Sequence, residues 1–151
     1  MCTTHLNKVY PQKNNMPLYN RYFLLNTFVN FYYYQKKYEE SWNYLMKIFD
    51  EVAQRKNDMP LEYATLEANY ADLSIKLNKD LDKAKDYLQK AKSYFQSIKG
   101  IISIYYIMTM ELELALKQND LQTATHLVQQ ISHDSTLNVP INYQQRRNEI
   151  L

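Results

Sequence analysis

The sequence predicts an all-α protein made of antiparallel helix pairs. Three observations carry that expectation: one glycine in 151 residues, apolar residues at three- and four-residue spacing along most of the chain, and two sets of markers that recur every 40 to 43 residues. A single glycine argues against an all-β fold, whose tight turns need residues at positive φ. It also excludes glycine-rich phosphate loops, where the backbone must come close to the ligand at several positions.

The first marker is a short phrase of Asn or Asp, an apolar residue, Pro, another apolar residue and a nearby Tyr. It occurs around Pro17, Pro60 and Pro140, and the spacing places a fourth mark at Gly100, the only glycine. Proline is tolerated in the first turn of a helix, where its missing N–H would have had no partner. The Asn or Asp before it suits a capping position. The second marker is a small residue with a large apolar residue three before it and another four after it. It falls at Ser41, Ala84 and Ala124, spaced 43 and 40 apart. Two separate markers keeping one period indicate a real internal repeat.

Helical stripes fill the space between the marks. Leu18, Tyr22, Leu25, Val29 and Tyr32 form the first, followed by Leu45, Ile48 and Val52. Leu66, Tyr70, Leu73 and Leu77 precede Leu81, Ala84, Leu88, Ala91, Phe95 and Ile98. Ile101, Ile104, Met108, Leu112 and Ala115 precede Leu121, Ala124, Val128 and Ile131. The breaks at 35–37, 78–80 and 118–120 are short and polar, so successive helices should run antiparallel. The expected helices are 17–34 with 38–56, 60–77 with 81–98, and 101–117 with 121–132. A further helix is expected to begin near Pro140. These define units of about 17–59, 60–99 and 100–139 and a partial unit 140–151, in one domain. Residues 1–14 read as the tail of an earlier unit. The chain is therefore expected to be a segment of a longer array, which would also cover Leu127, Ile131, Ile141, Tyr143, Ile150 and Leu151. Without such an array, the exposed terminal helices would favour a homodimer.

The small residue early in each second helix, with its apolar flanks, resembles the tetratricopeptide repeat. Asn69-Tyr70-Ala71-Asp72-Leu73 and Asn119-Asp120-Leu121 are similar to that family's first helix and inter-helix turn. The likeness covers roughly 17–132. It departs from the family in its longer units, in Val29 and Leu112 where a small residue belongs, and in Lys79, which reads as an insertion in the second turn. The resemblance implies a right-handed α-solenoid of about three units plus an extra C-terminal helix. Its longer units are similar to two groups of bacterial regulators, namely sensory regions of membrane-anchored regulators and cytoplasmic receptors for peptide pheromones. It thus implies a non-catalytic region that binds a protein or peptide, either cytoplasmic or extracytoplasmic. A stand-alone scaffold or chaperone adaptor for extended peptides is the alternative. In such solenoids the first helices line the concave, partner-binding surface. The family's inward positions correspond here to Asn26, Asn30 and Tyr33, to Asp72 and Lys76, and to Tyr106, Thr109, Glu113 and Lys117. Asp72–Lys76 and Glu113–Lys117 are also ordinary i,i+4 ion pairs.

Little else points to chemistry. Eighteen basic and sixteen acidic residues leave a net charge of +2, without the clustered excess that nucleic acid requires. Cys2 is the lone cysteine, which excludes an intrachain disulfide and a thiolate zinc site. His5, His126 and His133 lack ligand spacing and read as surface histidines, so no metal or other cofactor is expected. Glu39-Glu40, Asp50-Glu51, Asp80 with Asp82, and Glu111 with Glu113 lie one or two apart, so they point in different directions on a helix. Met108 and Met110 read as core filling. No apolar run is long enough to insert in a membrane. Fifteen tyrosines are the notable excess, with Tyr33 and Tyr106 expected to be the exposed rings of their runs.

The repeat makes one direct prediction. Ala84 and Ala124 should be buried where paired helices meet, so Ala84→Leu and Ala124→Leu should each cost roughly 1–3 kcal/mol through overpacking. Urea or thermal denaturation of the two variants measures this, and unchanged midpoints would refute the register.

Overall fold

A computed structural model describes residues 16–133. Six helices follow one another: α1 Leu18–Tyr34, α2 Tyr38–Ala53, α3 Pro60–Leu77, α4 Leu81–Ser97, α5 Ile101–Lys117 and α6 Leu121–His133. No strand occurs among the described residues. The expected helices are present in order, and α2 ends at Ala53, three residues early. The additional helix near Pro140, the partial unit 140–151 and the segment 1–14 lie outside the described residues.

The chain divides into two compact units, one ending at Asn69 and the other starting at Tyr70, so the boundary falls inside α3. In the first unit α1 packs on α2. Tyr22, Leu25, Phe28 and Val29 of α1, and Leu45, Ile48, Phe49 and Val52 of α2, are buried. Tyr44 of α2 stacks on Phe28 at 4.7 Å and on Tyr32 at 5.3 Å, and the Lys47 ammonium sits 4.3 Å from the Tyr44 ring centroid. Ser41 is fully buried and its hydroxyl donates to the Val29 carbonyl at 2.8 Å. A small residue belongs there because the two helices leave little more room than a hydroxyl needs.

In the second unit α4 packs on α5, and α5 on α6. Ala84 and Ala124 are buried. Ala124, Leu127 and Ile131 of α6 close on Tyr105, Met108, Leu112 and Ala115 of α5. Leu127 and Ile131 are thus buried against α5.

Four connections have the same three-residue length: 35–37, 78–80, 98–100 and 118–120. Lys79 is accordingly no insertion. The longer connection, 54–59, accounts for the difference between the 43- and 40-residue spacings. Each short connection closes its helix the same way. Lys36, Asn78, Lys99 and Asn119 adopt left-handed backbone with φ of 59°, 54°, 55° and 55°. The next residue's N–H then reaches back five residues: Lys37 to Tyr32, Lys79 to Ser74, Gly100 to Phe95, and Asp120 to Ala115, at 2.8–3.0 Å. This is the Schellman closure, which usually has glycine at the left-handed position. Here asparagine or lysine holds it. Gly100 itself sits at φ −76°, which any residue can adopt. Its value lies in space, since a Cβ there would stand 3.2 Å from Phe95 Cδ1.

Side-chain capping is sparse. The starts of α1, α2, α4 and α5 have no side-chain cap. At α6 the Asp120 carboxylate accepts from the Thr123 backbone N–H at 3.0 Å and from its hydroxyl at 2.7 Å. Those two bonds hold the Asp120 carboxyl below its ordinary pKa.

A lysine in left-handed backbone carries a Cβ clash that glycine lacks. Lys36→Gly and Lys99→Gly, both at exposed positions, should each stabilise the fold by about 1 kcal/mol. Chemical denaturation should show a higher midpoint for each variant.

Candidate interaction face on the first helices

The residues singled out by sequence lie on α1, α3 and α5, the first helix of each pair. α3 and α5 differ from ordinary surface helices. Ala64, Leu66, Glu67, Ala68 and the whole run Tyr70–Ile75 are buried on α3, as are Tyr105, Ile107–Met110, Leu112, Leu114 and Ala115 on α5. Burial on several faces forces their polar groups to find partners within the protein.

In the first unit the Asn69 side-chain amide donates to Asn26 Oδ1 at 3.1 Å, with both residues half-buried. One turn earlier on α1, Tyr22 is buried and its hydroxyl is pushed up to about pKa 12. Burial is the main cause, partly offset by a hydrogen bond with Thr65 and reinforced by the Glu62 carboxylate. Tyr22 and Asn26 on α1 thus face Glu62, Thr65 and Asn69 on α3. Asn30 is exposed. Tyr33 is half-buried, its ring edge-on to Tyr38 at 5.5 Å. The exposed ring of the tyrosine run is Tyr34, at 81% exposure, rather than Tyr33. The helix turns Tyr33 back toward the start of α2, whereas Tyr34 faces solvent.

In the second unit Tyr106 donates its hydroxyl to Asp72 Oδ2 at 2.8 Å, and the Lys76 ammonium donates to both carboxylate oxygens of Glu113 at 2.7 Å. The pairing of Lys76 with Glu113 therefore joins α3 to α5, where sequence spacing had suggested pairs along one helix. Asp72 and Thr109 are each only 2% exposed, and Thr109 donates to the Tyr106 carbonyl at 2.7 Å. Tyr106 is half-buried and Lys117, at the end of α5, is exposed. Lys92 of α4 adds a bond to Glu111 of α5 at 2.6 Å. Toward the α3–α4 connection Tyr70 meets Tyr87 edge-on at 5.0 Å and donates to Asp80 at 3.3 Å. Burial raises the Tyr70 pKa, with the nearby Lys83 ammonium opposing.

Of the nine expected residues, Asn30 and Lys117 are open to solvent, Asn26, Tyr33, Lys76, Tyr106 and Glu113 are half-buried, and Asp72 and Thr109 are closed in. Glu62, Thr65 and Asn69 complete the α3 stripe and were missing from the sequence-derived set. They could have been found by counting back from Lys76 and Asp72 in steps of three and four. Among the described residues no group of three or more metal-ligating side chains occurs, and no helix is long and apolar enough to cross a membrane.

Removing the Tyr106 hydroxyl takes one hydrogen bond from the buried Asp72 carboxylate. Tyr106→Phe should therefore destabilise the protein by about 1–3 kcal/mol. Tyr34→Phe, on an exposed ring, should stay within about 0.5 kcal/mol of the parent in the same urea titration.

No family model, curated protein or solved structure matches the chain.

Proposed function

We propose that this chain is a non-catalytic interaction region that binds an extended peptide or protein segment on the first unit, along the line of Asn26, Asn30 and Asn69. The Asn26–Asn69 pair supports this reading most directly. One bond between two side-chain amides uses one donor and one acceptor, so the pair keeps further donor and acceptor capacity whichever way the amides are turned. A peptide backbone offers one donor and one acceptor per residue, and side-chain amides match both. The two amides hold each other in place, which lowers the ordering cost of binding. Exposed Asn30, one turn from Asn26, extends the same polar line. The likeness to tetratricopeptide repeats points the same way and suggests a place within a signalling or transcription regulator.

Selection from an unbiased displayed library of extended peptides tests the proposal. Enriched peptides should bind the full chain, and Asn26→Ala and Asn30→Ala should each weaken binding about ten-fold, the loss expected for one or two hydrogen bonds. Failure to enrich any peptide, or binding indifferent to both substitutions, would reject it.

A further inference from the structure

The outward side of α1 is unlike those of α2 and α4. A helix with one buried stripe normally presents charged and polar residues on its other side. Two of the second helices do so with charge: Glu39, Glu40, Lys47, Asp50 and Glu51 are exposed on α2, and Asp82, Lys83, Lys85, Asp86 and Lys90 on α4. In α1 the only charged residue is Arg21, and it is turned to Glu51 of α2. The exposed side carries Tyr19 at 51%, Phe23 at 50% and Tyr34 at 81%, with exposed Thr27 and Asn30 between them. Tyr19 and Phe23 already touch edge-on at 4.7 Å. A surface rich in aromatic rings and free of charge has the composition of an interface core.

The order of these residues identifies what covers them. Phe23, Thr27, Asn30 and Tyr34 are spaced four, three and four apart, a seam spanning roughly 60° of arc and continuing for about three turns. The seam is nearly its own mirror image, with an aromatic ring at each end and two small polar residues in the middle. A second α1 laid antiparallel on the first brings Phe23 opposite the partner's Tyr34 and Thr27 opposite the partner's Asn30, so four layers form about one two-fold axis. Self-complementary surfaces of this kind produce closed dimers. The central Thr27 and Asn30 layers would fix the register, as polar residues do within apolar seams. The absence of charge on this face removes the like-charge repulsion that self-pairing would otherwise meet.

We infer that the exposed aromatic seam of α1, Phe23-Thr27-Asn30-Tyr34, is a homodimer interface in which two copies pair antiparallel. Asn30 also lies on the line proposed to bind peptide, one turn from Asn26, so the two proposals are told apart by Phe23 and Tyr34, which the dimer alone uses.

Sedimentation of the full chain over a concentration series up to about 0.2 mM tests it, a range in which small interfaces become populated. The wild-type chain should pass from monomer to dimer. Phe23→Lys alone, and Tyr34→Glu alone, should each weaken the dimer by about ten-fold or more, because each buries an unpaired charge. The double variant Phe23→Lys/Tyr34→Glu should recover most of the loss, since antiparallel pairing sets each new lysine against the partner's new glutamate. The two positions are eleven residues apart, too far for pairing within one helix. Wild-type chain that stays monomeric throughout would overturn the inference without reference to any variant. So would a dimer that both single variants leave intact, or single-variant losses that the double variant does not restore.

Discussion

A helix that buries one stripe can leave its polar residues to water, but α3 cannot. From Ala64 to Ile75 almost every side chain of α3 is buried or half-buried, and much of α5 is in the same condition. Any donor or acceptor on these faces must be matched inside the protein or forfeit its hydration. The pairs Asn26–Asn69, Tyr106–Asp72 and Lys76–Glu113 are the response to that constraint. Each joins one first helix to the next within its own unit. They satisfy buried groups, and their directional geometry resists sliding of one helix along another more sharply than apolar contact does.

The same requirement divides labour between the helices of a pair. The second helices bury a single stripe and turn polar residues outward, charged on α2 and α4 and uncharged on α6, so their role is chiefly to cover the first helices. Ser41, Ala84 and Ala124 stand at corresponding places in the second helices, where side chains must be small. Ser41 shows why a polar residue can substitute in that series: its hydroxyl finds the Val29 carbonyl and so does not enter the core unsatisfied. In the second unit the alanines meet no such acceptor requirement, and Ala124 lies among apolar side chains of α5 and α6.

The turns carry a local cost that this compact packing sustains. Four connections of equal length place a non-glycine residue in left-handed backbone, and each gains a bond from the following N–H to a carbonyl five residues back. Asparagine at two of these sites tolerates the conformation comparatively well, whereas lysine at the other two does not. The lone glycine is spent next to Phe95, where space rather than backbone conformation is limiting.

The six helices of the described residues, their boundaries to within a few residues and the buried small positions were legible in the sequence. Each depends on local backbone geometry or on the periodicity of apolar residues, and both are written along the chain. The end of α2 was less legible, because Gln54, Arg55 and Lys56 are ordinary helix formers with no breaker among them. Which polar residues face solvent was not legible. Asp72 and Lys76 have the spacing of a surface ion pair, but their exposure depends on what α5 brings against them. Tyr33 and Tyr34 are chemically alike and one residue apart, yet one packs on Tyr38 and the other faces water. The sequence by itself determined a set of paired helices and the stripe that each would bury. Only the tertiary structure decided which polar groups are closed in and which remain open to a partner, because that depends on residues 34 to 43 positions away in the chain, whose approach no local pattern records.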